Sequence, residues 1–245
     1  MSMVFVYAFV CILLAGIVRG FSGFAFAILV VISLSFVLPP TTIVPAVLLL
    51  EVVAGLHLLP SIWNRIHWKS IIIIVLASVI FTPLGVYLLT SVPARPMTLG
   101  LAVMTFVAAA VLATGYQLKR MPTALETAAT GASAGLLNGA FGIGGPPIII
   151  FFLGSPLALE AGRASIVASF LAMDIAGLIT LFAFDLYTRE SLMLTVLGLP
   201  ALVIGVYVGS RLVGKLDQAR ARQGVLVILM GLSLLIGIRS LWGNV

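Results

Sequence analysis

Three ionisable side chains stand out because their surroundings are almost wholly apolar. Arg19 lies in Arg19-Gly20-Phe21-Ser22-Gly23, with apolar residues on both sides. Glu51 and Asp174 each lie inside a long apolar run, just before Ala54-Gly55-Leu56 and Ala176-Gly177-Leu178. A guanidinium in mid-membrane costs roughly 2.5–3.5 kcal/mol on insertion scales, so it usually has a partner or a function. Its forked donors match the oxygens of a carboxylate or sulfonate. At a loop end it would instead snorkel to the headgroups. A carboxyl group at that depth has three roles open to it: a structural ion pair with Arg19, a protonated hydrogen-bond donor, or a carrier of a coupling proton.

Glycine supplies the second kind of chemistry. Asn138-Gly139-Ala140-Phe141-Gly142-Ile143-Gly144-Gly145-Pro146-Pro147 interrupts an apolar stretch, as the Arg19 motif does. Gly and Pro both work against a continuous helix, and backbone groups freed in hydrocarbon must be satisfied by protein or by a water-filled cavity. Pro146 suits the first turn of a new helix, and helix N-termini attract anions. The candidate substrate-binding set is therefore Arg19, Gly20, Ser22, Gly23, Asn138, Gly139, Gly142, Gly144, Gly145 and Pro146. The candidate proton-coupling pair is Glu51 and Asp174. The same glycine spacing also serves plain helix packing. Ser165, Ser169, Thr41 and Thr42 offer hydroxyls, but such groups in membrane helices more often bond their own backbone. His57 and His67 fall near a segment end, which reads as interfacial. Two isolated histidines and the single Cys11 make neither a metal site nor a disulfide, so no cofactor is expected.

The elements that must position these residues are membrane helices. Of 245 residues, 62% are hydrophobic and 8% charged, against about 25% charged in soluble domains. The mean hydropathy is +1.29. The net charge of +6 reads as basic loops facing the cytoplasm rather than as nucleic-acid binding. The N-terminus lacks the basic start and cleavage site of a signal peptide. Apolar segments can be marked at 3–18, 24–38, 41–59, 70–89, 97–116, 123–137, 148–153, 157–184, 191–212 and 224–241. A spanning helix needs about 20 residues. The first two segments of each half fall short of that; the other six are long enough to span. The expected fold is an all-α polytopic membrane protein of eight to ten apolar segments, with re-entrant or broken helices. The alternative for each break is a tight loop at the membrane surface.

The halves repeat. Ala15-Gly16 with Arg19-Gly20 and Gly23 matches Ala134-Gly135 with Asn138-Gly139 and Gly142, 119 residues on. The Ala-Gly-Leu triplets are 122 apart, and Gly85-Val86-Tyr87 precedes Gly205-Val206-Tyr207 by 120. An N-terminal repeat, 1–120, and a C-terminal repeat, 121–245, would together form one membrane domain. In one orientation the cytoplasmic loops hold Arg65, Lys69, Lys119, Arg120, Arg163, Arg211, Lys215, Arg220 and Arg222, leaving Arg95, Arg189 and Arg239 outside. This positive-inside bias makes the repeats inverted, with both termini outside. Trp63, Trp68 and Trp242 then sit near segment ends, as an aromatic belt requires.

Gly20-Phe21-Ser22-Gly23-Phe24 after a first membrane segment, with Asn138 through Pro146 at the repeat position, resembles the sulfite exporter TauE/SafE family, also called the toluene-sulfonate uptake permease family. The resemblance covers essentially the whole chain. It implies a bacterial inner-membrane transporter of small anions such as sulfite, sulfonates or sulfoacetate, and no enzyme. Two departures bear on the substrate: Glu51 and Asp174 stand where Asn-containing stretches are usual, and the basic-Ala pair Arg163-Ala164 has no counterpart near Thr41-Thr42. The expected function is secondary transport of a small anion at a site between the two breaks. The chain has no G-x-x-x-x-G-K-[ST] for nucleotide-driven transport. An anion channel and a membrane-embedded lipid-phosphate enzyme are the alternatives; the isolated acids argue against the enzyme. The expected partners are the anion and the bilayer, with no nucleic acid; a homo-oligomer is left open.

Overall fold

The computed structural model describes residues 2–22, 25–115, 120–212 and 218–242. Among the described residues there are ten α-helices and no strand: α1 Ser2–Ser22, α2 Phe26–Leu34, α3 Pro40–Ile62, α4 Trp68–Ser91, α5 Ala94–Ala113, α6 Ala124–Phe141, α7 Gly145–Gly154, α8 Leu159–Ala183, α9 Arg189–Leu212 and α10 Gln218–Leu241. A 3-10 turn, Trp63–Arg65, joins α3 to α4. The fold is thus all-α. Seven helices are long and apolar enough to cross a membrane, in α1, α3, α4, α5, α8, α9 and α10.

One boundary moves relative to the sequence expectation. The first segment looks short because Arg19 and Gly20 read as a break. The helix instead continues through both to Ser22, which makes 3–21 long enough to span. Arg19 sits in its last turn, where a cation offsets the negative end of the helix dipole. The second break is shorter for the same reason: Asn138 to Phe141 complete α6, and only 142–144 separate it from α7.

The helices form two compact units, and each draws on both halves of the chain. The first comprises Met1–Leu50, Val92–Ala113 and Tyr187–Val245; the second comprises Glu51–Ser91 and Thr114–Leu186. In the first unit α1 packs most extensively on α9, and in the second α4 packs on α6.

Both pairs are close backbone approaches. Gly131, Gly135 and Gly139 of α6 lie against Ile74, Ser78 and Thr82 of α4. The residue numbers rise together, so the two helices run parallel. Gly16 and Gly20 of α1 lie against Leu202 and Val206 of α9, again parallel. Apolar burial gains little between helices already solvated by lipid, and small residues that let backbones meet provide the attraction instead. Thr82 also donates to the Ser78 carbonyl, 2.7 Å away, so its hydroxyl needs no other partner.

In the first unit α5 and α10 run antiparallel. Arg95 Nε and Nη2 donate to the Ser240 and Leu241 carbonyls at 2.7 and 2.6 Å, and Ser240 Oγ donates to the Arg95 carbonyl at 3.0 Å. Arg239 Nη1 donates to the Phe36 carbonyl at 2.9 Å, with its guanidinium over the Phe36 ring. The outward surface carries large apolar side chains such as Ile80, Phe182 and Val196, a surface suited to lipid rather than water.

Candidate functional site

In the first unit, α1 ends at Ser22 and α2 begins at Phe26. Gly23, one of the expected binding residues, lies outside the described residues. Ala25, the residue before α2, has φ 72°. A left-handed conformation costs an L-residue roughly 1–2 kcal/mol, and nothing in an alanine's type signals it. Arg19 is only 8% exposed, and its guanidinium carbon lies 5.7 Å from the centre of the Phe26 ring. That is a cation–π distance, and the last turn of α1 and the first residue of α2 are thereby tied together. Gly20 faces α9: a methyl there would collide with the Val206 carbonyl oxygen and lie 2.9 Å from the Ser210 nitrogen.

In the second unit, α6 opens on a capping box. Thr123 Oγ1 accepts from the Glu126 N–H while Glu126 accepts from the Thr123 N–H at 2.7 Å, a reciprocal arrangement that satisfies two orphan donors. Arg120 pairs with both carboxylate oxygens at 2.7 and 2.8 Å. That guanidinium, then the Thr123 N–H, hold the Glu126 carboxyl down to about 2. The helix closes on Gly142, φ 68°, whose N–H returns to the Asn138 carbonyl at 2.8 Å. Here glycine occupies the left-handed position and the strain is absent.

Helix α7 starts one residue beyond Gly144, with Pro146 and Pro147 in its first turn. Gly144 packs where a methyl would stand 2.6 Å from the Ala134 carbonyl oxygen and from Met173 Sδ of α8. Gly145 meets Phe170, whose Cζ would be 3.0 Å from a methyl. Gly142, Gly144 and Pro146 are buried and Gly145 is half-buried. Asn138 is 1% exposed and its amide donates to the Met173 carbonyl at 3.4 Å. Gly139 faces α4, where a methyl would collide with the Thr82 carbonyl oxygen.

The second unit therefore brings Asn138 and Gly144 to Met173 and Gly145 to Phe170, with Gly142 closing α6 and Pro146 in the first turn of α7. In the first unit Arg19 lies against Phe26 and Gly20 against α9. Glu51 and Asp174 are both buried, on α3 and α8, and each has a polar or electrostatic partner, as has Arg19. Ser165 accepts from the His67 N–H at 2.9 Å and His67 Nδ1 lies 3.0 Å from Ser70 Oγ. This network joins α8 to the start of α4, so His67 acts as a joint between elements. Trp63 and Trp68 meet edge to face at 4.7 Å, both exposed. Phe26, Phe170 and Met173, which surround the breaks, carry no sequence signal beyond being apolar.

A family model described as "Sulfite exporter TauE/SafE" matches residues 8–236 of the chain. Among curated proteins and among solved structures no match is found.

Proposed function

Because this chain belongs to the sulfite exporter TauE/SafE family, we propose that it carries a small sulfur-containing or organic oxyanion, of the sulfite, sulfonate or sulfoacetate kind, across a bacterial inner membrane. The family match over residues 8–236 is the observation that carries the reading. Seven apolar helices of spanning length are consistent with it. Arg19 supplies the positive charge in the first unit, and the break at 142–145 supplies backbone donors in the second. Glu51 and Asp174 couple transport to protons.

With both termini outside, as the distribution of basic residues has it, α1 and α9 both run inward, α4 and α6 both run outward, and α5 opposes α10. Within each pair the directions accord with that scheme: α1 is parallel to α9, α4 is parallel to α6, and α5 is antiparallel to α10. Exchange of the halves also maps α1 on α9 onto α6 on α4, the most extensive pairing of each unit. That supports two repeats, 1–120 and 121–245, that trade their fourth helices; their inversion rests on the distribution of basic residues.

The test is flux in proteoliposomes loaded with sulfite, a sulfonate, sulfoacetate or a carboxylate. Saturable flux with counterflow is expected; linear, non-saturating flux would make the protein a channel. No flux of any of these anions would overturn the reading. For the coupling residues, Glu51→Gln should leave counterflow exchange intact while abolishing the pH dependence of net flux. If Glu51→Gln and Asp174→Asn both keep the wild-type pH profile, the acids are structural.

A further inference from the structure

Buried hydroxyls in this protein generally bond to a carbonyl three or four residues back. Ser35, Thr98, Thr127, Ser155 and Thr195 do so at 2.8–2.9 Å. Among the described residues two buried side-chain oxygens have no partner at all: Thr105 Oγ1 and Ser169 Oγ. Ser169 is 0% exposed. An unpaired buried hydroxyl forfeits its hydrogen bond to water and gains nothing in return. Such a group in a native structure calls for an explanation, a ligand being one.

Its position gives that explanation. Gly145 packs on Phe170, and Gly162 packs on Phe152, so α7 and α8 run antiparallel and Ser169 is level with Pro146. Along α8, Ser169 is one turn from Met173, which touches Gly144, and one turn from Ser165. Residues four apart share a helix face, so Ser169 lies on the face of α8 that carries Met173, level with the first turn of α7.

That first turn is short of donors. A helix start normally presents four free N–H groups. In α7, which follows Gly144, two of those positions are Pro146 and Pro147, which have no N–H. Gly144 and Gly145 remain. The dipole still favours an anion there, but the backbone cannot surround it.

We infer that Ser169 is a substrate-binding residue that donates its hydroxyl to one oxygen of a compact oxyanion held at the start of α7, taking the place of the donors removed by Pro146 and Pro147. This deepens the transport reading above and rests on it. The remaining oxygens of the anion receive the Gly144 and Gly145 N–H groups. A head group with three acidic oxygens, a sulfite or sulfonate, uses all three donors, whereas a carboxylate has only two oxygens to offer.

The test is a comparison of purified wild type, Ser169→Ala and Thr105→Val, titrated with sulfite, a short sulfonate and acetate, and unfolded by heat with and without each. Because Ser169 Oγ has no protein partner, Ser169→Ala should unfold at the same temperature as wild type or higher. Its affinity for sulfite and the sulfonate should fall roughly tenfold, as loss of a hydrogen bond to a charged group implies, and its affinity for acetate should fall less. Thr105→Val, which removes the other unpaired hydroxyl, should bind as wild type does. Wild-type affinity in Ser169→Ala would overturn the inference. A clearly lower unfolding temperature without ligand would also overturn it, by revealing a structural partner. If wild type binds none of the three anions, the transport reading itself fails, and the inference fails with it.

Discussion

The two helix breaks follow matching motifs 119 residues apart in the sequence and are built differently. At the first, a buried cation stacks on Phe26, a left-handed alanine precedes α2, and α2 opens with Phe26-Ala27-Ile28, all of which carry N–H groups. At the second, Asn138 replaces the cation, glycine takes the left-handed position, and two prolines strip donors from α7. One break concentrates charge and strain. The other is neutral, unstrained and closely packed, and leaves a hydroxyl without a partner. Under the transport reading proposed above, the two breaks would make two kinds of anion contact, one electrostatic and one by directed hydrogen bonds.

The largest expected effect tests what the breaks share. Gly20 and Gly139 both meet a facing helix backbone, so Gly20→Val and Gly139→Val should each cost several kcal/mol, beyond the roughly 1–3 kcal/mol usual for overpacking, because backbone cannot yield as a side chain can. Membrane-inserted folded protein, measured by size-exclusion after extraction, should fall for both. If Gly20→Val folds normally and loses only transport, Gly20 belongs to the substrate path and the likeness between the pairs fails.

Next comes the difference in charge. Arg19→Gln should weaken oxyanion binding by ten- to a hundred-fold, the loss of a charged hydrogen-bonding partner at about 1.5–3 kcal/mol, with Arg19→Lys less affected. Asn138→Ala, which gives up one 3.4 Å bond, should lose much less. Titration of the folded variants decides it: equal losses would erase the electrostatic distinction, and unchanged affinity in Arg19→Gln would return that residue to a purely structural role.

Backbone strain gives a smaller contrast of opposite sign. Gly142→Ala should destabilise by about 1–2 kcal/mol through the left-handed penalty. Ala25→Gly should stabilise by under about 1 kcal/mol, since relief of strain is partly cancelled by the freer unfolded chain. Denaturant unfolding reads both; the same sign in both variants would mean that the two φ angles do not matter.

The smallest effect belongs to the capping box, which has no acidic counterpart in the first turn of α1. Folding lowers the Glu126 carboxyl from 4.5 to about 2, so its contribution is present above 4.5 and is lost as pH falls through about 2. The group is exposed, and screening keeps the effect slight. Wild type should unfold at a slightly higher temperature than Glu126→Gln at pH 5, and the gap should close toward pH 2.

Much of this was readable from residue order. Low charge and long apolar runs require lipid and helices, because hydrocarbon leaves no other way to satisfy a backbone. The repeat landmarks are matters of type and spacing, and the family resemblance rests on motifs within the chain. Residue order places a break at Arg19 and Gly20, both poor residues for a helix in lipid, whereas α1 runs on to Ser22. They are tolerated there by the dipole at the helix end, by Phe26 and by the facing glycines of α9, all contacts between elements.

Local sequence carries the propensity of each segment but not its neighbours. That α1 lies on α9 and α4 on α6, so that each compact unit mixes both halves, depends on which small-residue stripes meet. The double reading of Gly20 and Gly139, as ligand contacts or as packing, was open for the same reason. So was the fate of the serines. Ser165 and Ser169 are one turn apart on one helix and identical in type, yet Ser165 accepts from His67 while Ser169 has no partner. A hydroxyl's bonding is settled by what stands opposite it, and that is a property of the packed chain.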